Sequence, residues 1–188
     1  MPMLEPVQIV EVWQPRCALR FGTAPCVATT DDGPRCYNTW GTCLDREHYA
    51  GTGSIAWRFC KPQQALVPLY ARDGEEIKTN ALPMLQSVSV RSSKINVGSI
   101  RDGEKPLGVT GSCRIVLKDA PWDDQVGDYY RSLRTVSGGH FWAKWLARNP
   151  FFANMRVRIY DGYHGQALSE MQQRLYILDN VSGPDSDG

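Results

Sequence analysis

Four of the six cysteines lie in the first quarter of the chain, in the stretch RCALRFGTAPCVATTDDGPRCYNTWGTC. Eight, nine and six residues separate them in turn. Cysteine thiolates bind zinc and iron–sulfur clusters, so four of them in one segment predict a metal centre. The predicted ligands are Cys17, Cys26, Cys36 and Cys43.

The spacing leaves the kind of centre open. Structural zinc sites favour pairs of cysteines with about two to four residues between them, and the sequence has no such pair. A cubane iron–sulfur cluster also takes four thiolates and is larger than one ion, so wider spacing suits it. Disulfides are disfavoured because MPMLEPVQIVEVW shows no secretory signal and cytoplasmic thiols stay reduced. An iron–sulfur cluster and a zinc site are therefore equally favoured interpretations, and both are favoured over disulfides or four thiols without a ligand role.

The other two cysteines occur in stretches with strand composition. Cys60 ends SIAWRFC, and Cys113 begins CRIVL. A free cysteine in such a stretch is usually a small buried hydrophobe. We expect both residues to belong to the core.

The segment that holds the four cysteines shows neither strand nor helix periodicity and is rich in glycine, proline, asparagine and aspartate. Ordering such a segment costs about 1–2 kcal/mol per residue in backbone entropy. Metal binding can offset that cost, because the ligands and the fold then form together. Residues 1–55 are therefore predicted to be a cysteine-rich, irregular, metal-binding segment.

The rest of the chain has the pattern of a mainly β (α+β) domain, predicted at 56–180, with a polar tail or linker at 181–188. Short β-branched and aromatic runs, separated by turn residues, suggest a sandwich or small barrel. Two or three short helices are expected, among them PWDDQVGDYYRSL and HFWAKWLARN. The five predicted strands are SIAWRF, MLQSVSVR, SCRIVLK, MRVRIYDG and RLYILDN.

Charge and motifs exclude several functions. Lys and Arg number 21 against 20 Asp and Glu, a formal net charge of +1, so no field attracts nucleic acid or anionic lipid. The longest apolar runs are too short to span a bilayer. Because no catalytic motif is found, the chain is not expected to be an enzyme. The aromatic residues Trp142 and Trp145 are the candidates for a partner surface, although burial in the core is the favoured interpretation.

Three stretches, QIVEVWQPRCALRFGTAPC, CYNTWGTC and GSIAWRF, resemble the start of tail-tip proteins of long-tailed bacteriophages and prophages. That family is related to the lambda minor tail protein L and to hub proteins of phage-like gene transfer agents. Its pattern of a C-x8-C pair and a C-x6-C pair matches here, with a shorter linker between the pairs than in the lambda relative. APWDDQVGDYY and RIYDGYHGQALSEMQQRLYILDNVSGP resemble the hub-like β domain of large tail-tip proteins.

The resemblance implies a structural [4Fe–4S] cluster on the four early cysteines, and it leaves out Cys60 and Cys113. It implies a structural subunit of a tail tip or baseplate hub, made in the host cytoplasm and located in the virion. Such a subunit assembles in a homo-oligomeric ring, with a trimer favoured, beneath the tail tube. Its partners would be the distal tail protein, the tail tube, a central fibre or other hub subunits. The alternatives are a small cytoplasmic iron–sulfur electron-transfer protein and a zinc-stabilised protein-binding module.

Overall fold

The computed structural model describes residues 5–29, 36–64, 81–92, 94–95, 108–109, 111–123 and 138–183. Within these ranges the fold is mainly β, as predicted, with eight strands and one α-helix. The elements are β1 (Pro6–Arg16), β2 (Gly53–Cys60), β3 (Leu85–Arg91), β4 (Lys94–Ile95), β5 (Gly108–Val109), β6 (Ser112–Leu117), α1 (Phe141–Arg148), β7 (Arg156–Tyr163) and β8 (Gln172–Ile177).

The main sheet has four antiparallel strands in the order β2-β1-β7-β8, and β3 with β6 and β4 with β5 form two further ribbons. Among the strands described, none of these sheets closes into a barrel. The five strands predicted from the sequence are all present, as β2, β3, β6, β7 and β8. The first strand is a correction: β1 lies inside the segment 1–55 that was predicted to be irregular, yet it pairs on both sides within the main sheet.

The two prolines of β1 occupy positions that tolerate the loss of an N–H group. Pro15 pairs only with Ser54 of β2, because the pairing with β7 ends at Trp13. Pro6 pairs only with Tyr163 of β7, because the pairing with β2 begins at Ile9. Proline cannot donate to a ladder, so it is confined to such one-sided positions. The prolines thus delimit the part of β1 that pairs with both neighbours.

Both faces of the main sheet are covered where β1 is apolar. Val10 and Val12 point into the larger core with Phe59, Val157 and Ile159 of the neighbouring strands. That core is closed by the β3–β6 ribbon and by α1. On the opposite face a smaller core contains Val7, Ile9, Cys60, Ala81, Tyr160, Leu168 and Met171.

A buried carboxylate lies at the centre of β1. Glu11 is 1% exposed, and its oxygens accept hydrogen bonds from Trp13 Nε1 (2.6 Å), Tyr160 Oη (3.1 Å) and Arg58 Nε (2.8 Å). In the sheet register Glu11 lies opposite Arg58 on β2 and Arg158 on β7. Opposite charges directly across antiparallel strands stabilise their pairing. Glu11 therefore links three strands in one register.

A second buried polar residue connects β1 to the helix. The Gln14 side-chain oxygen accepts from the indole N–H of Trp57 on β2 (2.6 Å) and from that of Trp145 on α1 (3.0 Å). Phe141 lies at the centre of the aromatic cluster, with its ring edge-on to those of Trp57, Phe59 and Trp122 at 5.3, 5.8 and 5.2 Å between centroids. Edge-to-face pairs at such distances add to the stability gained from burial.

The predicted helix HFWAKWLARN is confirmed as α1. It ends at Asn149, whose side-chain Nδ2 donates to the carbonyl of Trp145 at 2.8 Å, and Pro150 follows. Most of the other predicted helix, PWDDQVGDYYRSL, lies outside the described residues, as do 184–188 of the predicted tail.

We predict that Glu11→Ala lowers the free energy of unfolding by about 3–5 kcal/mol, because it leaves buried donors without their acceptor. Urea unfolding followed by circular dichroism measures the change. The matched control is Glu47→Ala, which removes an exposed glutamate and should shift stability by no more than about 0.5 kcal/mol. Equal losses of unfolding free energy in the two variants would show that the hydrogen bonds to Glu11 do not stabilise the fold.

Candidate metal centre

The cysteine segment is the connection between β1 and β2, residues 17–52. Its two ends are fixed close together: Cys17 N–H donates to the Asn38 carbonyl and Ala18 N–H to the Ala50 carbonyl, both at 2.7 Å. Gly53 opens β2 beside Arg16, and a Cβ on Gly53 would lie only 2.9 Å from the Arg16 carbonyl oxygen. The sheet thus positions the first ligand candidate, Cys17, at the end of its central strand.

Electrostatic interactions link the four predicted ligands through two groups, Cys43 and Tyr49. Burial is the largest influence on the pKa of the Cys43 thiol and raises it. The hydrogen bond to the Asp45 backbone lowers this pKa, and the charges of Cys17 and Cys26 raise it further. The pKa of the Tyr49 hydroxyl is raised in the same way, first by burial and then by Cys17, Cys43 and Cys36. Each cysteine is therefore within electrostatic range of at least one of these two groups. Cys36 is buried, and the other three are partly exposed.

One backbone N–H is directed at a ligand sulfur. Asn38 donates from its backbone to Cys36 Sγ at 3.3 Å, and its positive φ of 59° is a conformation that asparagine tolerates better than most residues. Hydrogen bonds of this kind stabilise thiolate on a metal centre and tune it. The Asn38 side chain is itself buried; its Nδ2 donates to the Leu19 carbonyl (3.3 Å), and no described residue donates to its Oδ1.

Asp45 joins the two cysteine pairs. Its Oδ2 accepts from Val27 N–H, next to Cys26, at 2.9 Å, while Oδ1 lies 2.9 Å from Nδ1 of His48. These hydrogen bonds, that from Val27 first, lower the pKa of the Asp45 carboxyl. The backbone carbonyl of Asp45 accepts a hydrogen bond from Cys43 Sγ at 3.1 Å. One residue thus connects the loop that ends at Cys26 with the loop that ends at Cys43.

The segment also docks on the end of α1. Thr39 Oγ1 donates to the Arg148 carbonyl at 2.7 Å, and the Arg148 guanidinium carbon lies 3.6 Å from the centroid of the Tyr37 ring. Gly41 lies against Pro150, where an added Cβ would be 2.8 Å from Pro150 Cδ. On the outer side Trp40 packs edge-on against Tyr49, with centroids 5.1 Å apart.

The four cysteines are the donor set that the segment offers to a metal group. In the described ranges no set of three or more histidine, cysteine, aspartate and glutamate side chains is gathered closely enough to hold a metal ion. Of the four cysteines, Cys36 is buried and has a backbone N–H directed at its sulfur, and the other three are partly exposed. A cubane holds its thiolates around a cluster rather than around a point. The donor set is therefore compatible with a [4Fe–4S] cluster.

The remaining cysteines lie elsewhere, as expected. Cys60 is 1% exposed in the smaller core, and Cys113 packs, partly buried, against the larger one. Their strands, β2 and β6, hold them in the sheets rather than in the connection between β1 and β2.

The two aromatic candidates for a partner surface, Trp142 and Trp145, differ in how deeply they are buried. Trp145 is 5% exposed and donates to Gln14, so it belongs to the core. Trp142 is partly buried, packs against that core, and donates from Nε1 to the Lys118 carbonyl at 3.1 Å. The folded chain thus uses Trp145 inside rather than on a partner surface.

Sequence reasoning missed the residues that support the cysteines, namely Asn38, Thr39, Gly41, Asp45 and Tyr49. Their roles depend on contacts with distant parts of the chain, such as that of Thr39 with Arg148, which no local pattern encodes. The only signal was the density of turn formers around the cysteines.

Comparisons of the chain with protein-family models, with curated proteins and with solved structures gave no match. Within the ranges that the structure describes, no helix is long and apolar enough to cross a membrane.

We predict that Gly41→Ala weakens the docking of the cysteine segment on α1, because the new methyl group would collide with Pro150 and the Arg148 carbonyl, at 2.8 and 3.1 Å. The expected cost is about 1–3 kcal/mol of unfolding free energy, typical of overpacking. Gly138→Ala is the matched control, since nothing lies within 4 Å of its added Cβ. Unchanged stability of the Gly41 variant in urea unfolding would mean that the contact is not tight in solution.

A second prediction concerns Cys60, where burial raises the pKa of the thiol to about 11. In the unfolded chain this thiol ionises near its ordinary value of about 8.5. The unfolded state therefore loses its proton first, and folding stability falls as the pH rises from about 9 to about 11. Cys60→Ala should reduce that alkaline slope, measured as the urea midpoint against pH. An unchanged slope would contradict the burial of this thiol.

Proposed function

We propose that the chain is a structural, non-enzymatic subunit of a phage tail tip or baseplate hub and that its cysteine segment holds a [4Fe–4S] cluster. The observation that supports the proposal most directly is the match of four cysteines to the family's C-x8-C and C-x6-C pairs, together with the electrostatic interactions that link these cysteines through Cys43 and Tyr49. In the proposal these residues are the ligands: Cys17, Cys26, Cys36 and Cys43.

Other residues of the segment would position such a cluster. Asn38 donates its backbone N–H to the Cys36 sulfur, Tyr49 lies beside three of the thiols, and Asp45 ties the two cysteine pairs together. Bound there, the cluster supplies a covalent cross-link for a segment that has little core of its own. We infer that its role is to order the connection between β1 and β2.

The ring assembly is also a proposal. A hub subunit needs surfaces that are covered only in the assembly, and the main sheet ends in the outer strand β8, which pairs with β7 alone among the described strands. Exposed strand edges are templates for pairing with another chain. A homo-oligomeric ring, with a trimer favoured, beneath the tail tube and in contact with the distal tail protein would use such an edge. The virion is the proposed location.

The metal part is tested by cysteine-to-serine substitution in anaerobically purified protein. We expect serine at Cys26 or Cys43 to lower iron per chain and to remove the brown charge-transfer absorption, because a cluster that lacks one thiolate is labile. Serine at Cys113 should leave both unchanged. Residues 17–52 should also become more sensitive to limited proteolysis in the two ligand variants.

Two outcomes would overturn the metal assignment. A colourless wild-type protein with stoichiometric zinc would replace the cluster by a zinc site, and iron lost equally from a Cys60→Ser variant would move that residue into the centre. The structural role has its own test in a reconstruction of assembled tail tips from a phage that encodes the chain. Absence of the chain from those tails would reject it.

A further inference from the structure

The described residues cover only half of one face of the main sheet. On this face the smaller core ends at the cross-strand row that contains Ile9 and Tyr160. Beyond it the register places two further rows side by side. Directly opposed residues share a face, and residues two apart on a strand point the same way. The rows are Arg58–Glu11–Arg158–Leu175 and Ala56–Trp13–Arg156–Ile177.

The outer end of both rows is apolar and exposed. Leu175 is 64% exposed and Ile177 65%, and both lie on β8, the outer strand of the described sheet. Trp13 lies half-buried at the centre of the second row. Tryptophan and arginine are enriched at the energetic centre of protein interfaces, and exposed aliphatic residues beside them are apolar surface that a partner can cover.

The two rows also have an excess of positive charge. They contain three guanidinium groups and one carboxylate, Glu11, which is already hydrogen-bonded to Arg58, Trp13 and Tyr160. Arg158 is partly buried: its Nη1 donates to Tyr160 Oη at 3.1 Å, and its guanidinium carbon lies 6.0 Å from the Trp13 ring centroid, which leaves other guanidinium N–H groups for a partner. The Arg156 side chain is exposed and has no recorded hydrogen bond or ion pair to another described residue.

We propose that these two rows form a docking face for an acidic segment of another protein, with carboxylates that pair with Arg156 and Arg158 and apolar side chains that cover Leu175 and Ile177. The two arginines are two residues apart on β7, so their Cα atoms lie about 7 Å from each other. Carboxylates at alternate positions of an extended segment have the same spacing. The face lies outside the cysteine segment, so the inference goes beyond the proposed function and does not depend on it.

Charge selects this occupant over two others. A symmetric pairing of the face with itself in a second copy would set arginines against arginines, which is repulsive. A nucleic acid would be steered by a strongly basic protein, whereas the net charge here is +1. An acidic protein segment meets both the local charge and the exposed aliphatic residues.

The test measures binding of the full chain to a fluorescein-labelled peptide with the repeat Glu-Ser-Glu-Ser-Leu-Ser-Leu-Ser, which when extended shows on one face two glutamates about 7 Å apart and then two leucines. Fluorescence anisotropy should give saturable binding that weakens with salt. Replacing every glutamate by glutamine should weaken it at least about tenfold, since a tenfold change corresponds to about 1.4 kcal/mol. Binding that is equal for both peptides, or absent for both, would overturn the proposal.

Variants locate the face. Arg156→Glu should weaken peptide binding about tenfold or more, and Leu175→Ser should weaken it independently of charge. Arg91→Glu, an exposed arginine at the end of β3, is the matched control and should bind as the wild type does. Iron content should be the same in all three, which separates this test from that of the metal centre.

Three results would reject the proposal. They are unchanged binding in both Arg156→Glu and Leu175→Ser, competition by single-stranded RNA as strong as that by the peptide, and a concentration-dependent dimer that Arg156→Glu abolishes. The first result would place peptide binding elsewhere on the chain. The second would make RNA the occupant of the face, and the third would make a second copy of the chain the occupant.

Discussion

The architecture depends on a strand that is buried on both faces yet contains a carboxylate and an amide. Glu11 and Gln14 of β1 have their oxygens occupied by donors from β2, β7 and α1. An unpartnered buried polar group costs about 1–3 kcal/mol and an unpaired buried charge more, so each of these donors must be in place. Apolar residues alone would tolerate small slips between elements. The two polar residues fix the register and the place of the helix together.

That constraint extends to the cysteine segment. Cys17 follows β1 directly, and the same helix that Gln14 holds through Trp145 presents its last carbonyl, that of Arg148, to Thr39. The sheet therefore sets where the segment begins, and α1 sets where its middle rests. Hydrogen bonds thus tie the start of the cysteine segment to the sheet and Thr39 to the end of α1.

Composition and periodicity were sufficient for the elements that follow ordinary rules. Strands β2, β3, β6, β7 and β8 and helix α1 have local patterns that their burial matches, and the clustering of four cysteines pointed to one site. β1 was missed because a strand buried on both sides shows no alternation, and its glutamate, glutamine and prolines imitate a loop. The supports of the cysteines and the open rows of arginines were not predictable, because they depend on long-range contacts and on sheet register.

The pairing of Arg16 with Gly53 closes the cysteine connection at its base like the stem of a hairpin. The entropic cost of closing that stem grows only with the logarithm of the length of the connection, by about 0.6 kcal/mol for each doubling. Residues can thus be added between Cys26 and Cys36 at little thermodynamic cost to the sheet. The length of the connection can therefore change while β1 and β2 keep their register.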